Sequence, residues 1–578
     1  MSERALLKPE TMTGTQLDPV EYAVVSQALM AAGREMGVKL IRSSYSNIVR
    51  EAQDASAALF DRTGNVVAQA ELIPMQLGPM SDIFRACAAV VPPEDLKEGD
   101  FYINNDPYRG GQHLQDVFIF SPIFVSNELV GFAGTVSHHL DLGGGNPGLS
   151  PDAVDVHAEG IIFPPSVYNF SRDWNGGPLE RLVAANIRVP DQTIGDFYAQ
   201  FAANAIGAER VKQLCEKYGT DSVARSMAEL IDYSERRFRA ALREVPDGEY
   251  YGEDAIDDDG LSDEPLVVKV KVKIQGDSVH VDFDGTCPQV RRNLNCPWAS
   301  TISATLAAIK ATLTSADIPF NEGVKSAVTV TAPEGCLVNP IYPAPVRARM
   351  LSAYRCFDAV LKALAQAVPD KVIAGGNDST HSTAISHLSG SRYKVYLEIF
   401  GGGYGASPRV DGCDAVDSTL SNCTNVPIEA MDMDFDHFRV EAYALVPDSC
   451  GHGRQRGGLA LMRRYRILKD NTNFARYSDR VRIAPFGLFG GTDGGRSYCE
   501  LTRDGQTELM PSKGQFDLKA GDILTLYTAG GGGYGSVDER SGTAIAHDIQ
   551  EGYVTREAAL AFYGRTGKRF TANDLHQN

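Results

Sequence analysis

Several features missing from this sequence each remove a class of function. No CxxC pair occurs among its cysteines (Cys87, Cys215, Cys287, Cys296, Cys336, Cys356, Cys413, Cys423, Cys450, Cys499), so neither a zinc ribbon nor a thioredoxin motif is available. Scattered in this way, they read as free thiols of a reducing cytoplasm. No GxxxxGK[ST] occurs, which excludes a P-loop. No run reaches the ~18 consecutive apolar residues of a membrane span. The N-terminal MSERALLKPETMTGTQLDP is polar, without the apolar centre of a signal peptide. Positive charge is also in deficit: 55 basic against 74 acidic side chains leave a formal charge of −19. That sign disfavours a non-specific nucleic-acid binder. No internal repeat is found.

What remains is 578 residues of ordinary globular composition, 43% apolar and 22% charged. The length suits about three domains. Between Pro19 and Arg50 apolar residues recur at helical spacing, after an Asp18–Pro19 start that caps a helix. Residues 55–71 read as a hairpin around the Asp61–Gly64 turn signal, and 192–243 as a helical block. The acidic run Glu253–Glu264 is the best candidate linker. After it Val268, Val270, Val272 and Ile274 alternate with lysines, and Val279, Val281 and Phe283 alternate back, a half-buried hairpin. Helical blocks at 298–315 and 351–367 bracket a proline-rich crossing at 333–346. The remainder is dense in glycine (401–405, 451–458, 487–495, 530–535), as suits short strands and tight packing. The expected fold class is α+β, a large mixed multi-layer fold of antiparallel hairpins and helical blocks.

Four of the 11 histidines (His113, His138, His139, His157) fall within one 45-residue window, along with Asp116, Asp141, Asp152 and Asp155, and Asp106 lies just before it. Two apolar runs, Val117–Phe124 and Leu129–Val136, flank a polar turn at Ser126–Glu128. Folding that hairpin about Asn127 sets Asp116 opposite His138, with β-carbons about 5 Å apart, near enough to share one ion. His113 and Asp116 differ by an odd number, so one regular strand cannot present both on one face. The Gly110–Gln112 approach must be a loop that brings His113 over. Two imidazoles and a carboxylate with room for water suit a catalytic zinc, iron or manganese, which would polarise a carbonyl or acidify a water. Asp54, before another hairpin, is a candidate fourth ligand; an exposed turn aspartate is its alternative. Asp106 reads as a turn starter and Gly143–Gly145 as a turn or substrate loop.

NNDPYRGGQHLQDV followed by SHHLDLGGG resembles the signature of the hydantoinase B/oxoprolinase family. The resemblance continues in order through EAQDASAALFDRTG, VDFDGTCPQVRRNLN, the proline crossing, DSCGHGRQRGGL, TAGGGGYG and HDIQEGYVTREAALAFYG. It implies one component of a heteromeric ATP-dependent enzyme: N-methylhydantoinase, a caprolactamase-type lactamase, half of 5-oxoprolinase, or an acetone or acetophenone carboxylase large subunit. ATP and Mg would sit on a hydantoinase A-type partner, in an α2β2 heterotetramer. The metal ligands carried over are His113, Asp116 and His138, with Asp54 matching an acidic residue near that site. Gln112, Gln115 and Ala55 depart from the threonine, proline and phenylalanine common there. The carboxylase large subunits are longer, which favours the amidohydrolase branch.

The expectation is therefore a metal-containing subunit of a cyclic-amide hydrolase, opening a lactam or hydantoin ring after phosphate activation. Asp116 and His139 are the candidate catalytic pair, His139 moving a proton because imidazole titrates near neutrality. Ketone carboxylation, drawing on bicarbonate, is the alternative. The three expected regions are 1–252 with the metal site, 265–346 with hairpin and helix, and 347–578 rich in glycine. Neither nucleic acid nor membrane is an expected partner, and the location is cytoplasmic. A phosphatase reading of Asp282–Thr286 (DFDGT) lacks the required strand-to-helix context, and a scaffold role does not account for the clustered histidines. Arg454 and Arg456 suit either an anion site or a basic interface turn. Cys450 is a nucleophile only if a base lies near it.

Overall fold

The computed structural model describes residues 18–70 and 72–564; the polar N-terminal segment lies, up to residue 17, outside them. The Asp18 side chain accepts the Val20 amide at 3.0 Å and starts the helix Pro19–Ser43. Its buried stripe (Val25, Leu29, Ala32, Met36, Leu40) packs against a second helix, Pro190–Tyr218. The helical block expected over 192–243 is two helices. Gly219, at φ 86°, separates Pro190–Tyr218 from Thr220–Leu242, because the left-handed region suits glycine and ends a right-handed helix.

These helices cover one face of a six-stranded antiparallel sheet: β1 (Ala55–Asp61), β2 (Val66–Gln69), β3 (Asp100–Asn104), β4 (Asp116–Val125), β5 (Glu128–His138) and β6 (Ser166–Asn169), in the order β2-β1-β5-β4-β3-β6. Phe60, Phe118, Phe120 and Phe132 fill the other face against the helix Met80–Ala88. Burial on both faces explains why β4 and β5 read as near-continuous apolar runs.

The turn between β4 and β5 is Ser126–Asn127, both at positive φ (49° and 71°), as a type I′ turn demands. It pairs Val125 with Glu128. Continued regularly, that register would put Asp116 opposite Ser137 and turn His138 to the other face. A bulge beyond Phe124 leaves Val130 as an extra residue on β5. Past the bulge Asp116 stands opposite His138, the expected pairing.

Three further sheets complete the α+β architecture. The lysine-alternating hairpin is Leu266–Gln275 with Ser278–Asp282, valines inward. The acidic run differs from a linker in its first half: Glu253–Ile256 closes the strand Gly248–Ile256, and Asp254 is buried between Arg355 and Arg480. A carboxylate held by two guanidiniums is anchored in the core, whatever its neighbours' composition suggests.

The helix Arg349–Leu364 runs through the centre, every residue buried except Lys362, and packs on that strand and on the helix Trp298–Leu313. The largest apolar cluster draws on residues from Leu40 to Tyr534. The glycine-rich segments pack backbone on backbone. A Cβ on Gly531 would meet the Tyr404 carbonyl at 2.0 Å, and one on Gly403 the Gly458 carbonyl at 2.1 Å. The ten cysteines are all unpaired. Among the described residues no helix is long and apolar enough to cross a membrane.

Candidate metal centre

Three neighbouring strands deliver the candidate ligands to one end of the sheet. Asp54 immediately precedes β1, and its carbonyl accepts the His138 amide at 3.0 Å. His138 ends β5 between β1 and β4, and Asp116 opens β4. His113 lies in the turn before β4, where its carbonyl accepts the Asp116 amide at 3.1 Å. That turn is the loop the odd spacing required. One ligand atom each from His113, Asp116 and His138 lie within 4.8 Å of one another. His113 Nε2 is 3.3 Å from Asp116 Oδ2, and His138 Nδ1 is 3.6 Å from Asp116 Oδ1 and 3.5 Å from Asp54 Oδ2. All four residues are buried, so Asp54 is not an exposed turn residue.

Contacts from distant segments hold this group. Gln76 Nε2 donates to both carboxylates, at 2.8 Å to Asp54 Oδ1 and 3.2 Å to Asp116 Oδ1. An Arg349 guanidinium nitrogen sits 2.5 Å from Asp116 Oδ2. His113 Nδ1 is 3.1 Å from the Arg347 carbonyl; a carbonyl only accepts, so Nδ1 carries the proton and Nε2 is bare. Burial, reinforced by Arg349, lowers the His113 imidazole to about 3 and keeps it neutral. Burial works to raise Asp116, but His113 and Arg349 outweigh it and hold the carboxyl well below its usual range. Because His113 is neutral, the Arg349 cation supplies the charge that holds Asp116 ionised, with His113 acting as a neutral neighbour. Asp54 is pushed up to about 6, by burial first, with Asp116 adding to the rise against His138.

This donor set fits a divalent ion. A bare imidazole nitrogen facing an ionised carboxylate at 3.3 Å opposes two lone pairs, and His113 Nε2 and His138 Nε2 are both buried without a hydrogen-bond partner. A cation between His113 Nε2 and the Asp116 carboxylate would relieve the first condition. Two imidazoles with one or two carboxylates suit zinc, iron or manganese.

His139 faces the other way. It stacks on Phe197 at 4.0 Å between ring centroids, and its Nε2 is 3.0 Å from Gln200 Oε1. Burial lowers it to about 3. The proton-transfer role expected of it finds no support in this placement. Asp106 caps a turn through the Tyr108 amide, Asp141 pairs with Arg188, and Gly143 and Gly144 turn at positive φ. Arg456 is committed to Asp414 and Asp548, and burial pushes the Cys450 thiol up to about 12, so neither offers a free cation or thiolate. Asp282 ends an antiparallel hairpin arm with no helix directly after it, which removes the phosphatase reading.

Gln76, Arg347 and Arg349 line the pocket with His113 and His138 and were not anticipated. The arginines stand directly after the proline crossing, in VRARM, the one local signal that could have marked them.

The family model of Hydantoinase B/oxoprolinase matches residues 18–537. A protein of Pseudomonas sp. (strain NS671), provisionally named as one subunit of a D-/L-hydantoinase, is 36% identical over 573 residues, 95% of each chain. The beta subunit of the caprolactamase of Pseudomonas jessenii is 29% identical, covering 95% of this chain and 96% of its own. The crystal structure of the ATP-dependent caprolactamase from that organism superposes with a TM-score of 0.88 at 29% identity, over 95% of this chain and 96% of that one. An acetone carboxylase structure shares the fold, with a TM-score of 0.86 at 16% identity over 95% of this chain and 79% of that one. This chain belongs to the hydantoinase B/oxoprolinase family.

Proposed function

We propose that this chain is the metal-holding component of an ATP-dependent enzyme that opens a cyclic amide, a lactam or hydantoin. The observation that carries the reading is the buried group His113, Asp116, His138 and Asp54, in a chain aligned almost end to end with one subunit of a hydantoinase and one of a caprolactamase. Those relatives are named as subunits, which supports a partner chain; the proposal gives ATP and Mg to a hydantoinase A-type partner, in an α2β2 assembly in a cytoplasmic setting.

An unstrained amide is a poor electrophile, and phosphorylation by the partner would activate it. His113, Asp116 and His138, with Asp54 beside them, would hold zinc, iron or manganese, which supplies Lewis-acid polarisation or a water acidic enough to attack near neutral pH. Gln76 and Arg349 keep the Asp116 carboxylate oriented and ionised. The Arg347 carbonyl fixes the His113 tautomer with Nε2 toward the site. Ile73, Met75 and Leu149 give the pocket an apolar wall for a ring. Of the three expected regions, that up to 252 carries the ligands and that from 347 reaches in with Arg349.

The test is substrate-stimulated ATP hydrolysis by the chain co-purified with its partner, against lactams, hydantoins, and ketones with bicarbonate. Stimulation by a lactam or hydantoin, with the ring-opened amino acid as product, is expected. Stimulation only by a ketone with bicarbonate would move the chain to the carboxylase branch, and no stimulation by any of them would overturn the reading.

A further inference from the structure

Arg347 is a buried guanidinium with no carboxylate in ion-pair contact, although Glu159 and Asp141 lie near enough to act on it. It is 5% exposed and lines the pocket beside the ligand group. Its guanidinium donates to the Glu159 carbonyl at 3.2 Å and to the Gly148 carbonyl, and its Nε has no partner. Among the described residues it forms no ion pair. The nearby Glu159 carboxylate is occupied by the backbone amides of Val346 and Arg347, each at 2.9 Å. A guanidinium buried against carbonyls alone carries a desolvation cost that an arriving anion would offset.

Two independent features point into the same pocket. Arg349, 4% exposed, spends one nitrogen on Asp116 and leaves its buried Nε without a partner. It also begins a 16-residue helix whose first turn has no side-chain cap and no acidic residue, and Ala348, Arg349 and Met350 line the pocket. The Ala348, Arg349 and Leu351 amides already donate to the Asn293, Val346 and Ala348 carbonyls, so what the helix start adds is its positive dipole end. In a chain carrying a formal charge of −19, this concentration of unspent positive character is local.

We propose that Arg347, Arg349 and the start of the helix Arg349–Leu364 form an oxyanion-binding subsite beside the metal ligands. It would take the phosphoryl group of the activated substrate or a carboxylate that the substrate itself carries. The proposal rests on the reading of the ligand group above. Arginine forks suit either anion, because two parallel N–H donors match two oxygens of one group.

The experiment titrates the full chain with inorganic phosphate and, separately, with acetate, at constant chloride, in EDTA and after metal loading, by calorimetry. Saturable phosphate binding in EDTA is expected, weakened about tenfold or more in Arg347→Gln. Phosphate without acetate assigns the group to a phosphoryl; acetate binding at least as tight assigns it to a carboxylate. Arg347→Lys keeps the charge but loses the fork, and serves if the glutamine variant does not fold. No saturable binding of either anion to the wild-type chain, or equal binding by both variants, would overturn the subsite. Metal content of the same samples is read separately. Anion binding without metal uptake sinks the metal reading and leaves the subsite, and metal uptake without anion binding does the reverse.

Discussion

Each candidate ligand is held by a contact that a substitution can remove singly. His113→Ala and Asp116→Asn are expected to drop bound metal from about one ion per chain to a trace by elemental analysis, with far-UV circular dichroism unchanged. Gln76→Ala removes the donor shared by the two carboxylates, and metal affinity should weaken by about 10–100-fold, the usual cost of losing such a support. His139→Phe tests a different role. The ring stacks on Phe197 and bonds Gln200 away from the pocket, so metal content should hold while stability falls by about 1–3 kcal/mol from the stranded Gln200 amide. A loss of turnover without a loss of stability would restore His139 as a proton carrier. The convergence of the candidate trio was legible in sequence because hairpin pairing makes two of its members neighbours and parity forces the third into a loop. Arg349 was not legible: it meets Asp116 across 233 residues of chain, a separation at which no local pattern operates.

Elements were legible where one periodicity governs them. The capped first helix and the valine–lysine hairpin stand as read, because each buries one face against the core. The bulge at Val130 was not legible, although the register of Asp116 and His138 depends on it. Folding about Asn127 reached the right pair while the turn itself is centred half a residue earlier, and the extra residue on β5 makes up the difference. The acidic run 253–264 misled because composition cannot show that Asp254 meets Arg355 and Arg480 in the interior. The glycine segments are the most stringent element-scale case. Gly531→Ala would drive a Cβ to 2.0 Å from the Tyr404 carbonyl, backbone against backbone with nothing flexible to yield. The expected loss is about 3 kcal/mol or more, read as a lowered urea midpoint or failure to express in soluble form. Wild-type stability in that variant would show that these glycines are not packing elements.

Across the whole molecule, buried neutral imidazoles weaken the fold in acid, while buried carboxyls that desolvation raises, Glu159 to about 8 and Glu398 and Asp417 to about 7, act in the opposite direction. His381, bonded to Asn377 and Ser478, is lowered by burial to about 3, and His452, against Tyr563 and Phe562, to about 4, both from 6.5. Above the unfolded value these two imidazoles are neutral in both states and contribute no pH dependence. Below it these two sites take up protons in the unfolded chain that they refuse in the folded one, so their contribution to stability falls as pH drops from 6.5 toward 4. Each site contributes up to about 1.4 kcal/mol per pH unit. Urea unfolding of wild type and His381→Gln at a series of pH values isolates the His381 contribution: the variant's stability should fall less steeply between pH 6.5 and 4 than the wild type's.

The claim that joins these scales is that the partner's ATP chemistry and this chain's ligand group act on one substrate in sequence. The most direct measurement is the ratio of ring-opened product to ATP hydrolysed by the assembled complex carrying His113→Ala, beside the wild type. ATP hydrolysis that persists while ring-opened product falls by at least about 100-fold is the predicted result, since activation stays with the partner and completion is lost here. Product formation at the wild-type ratio would contradict the account.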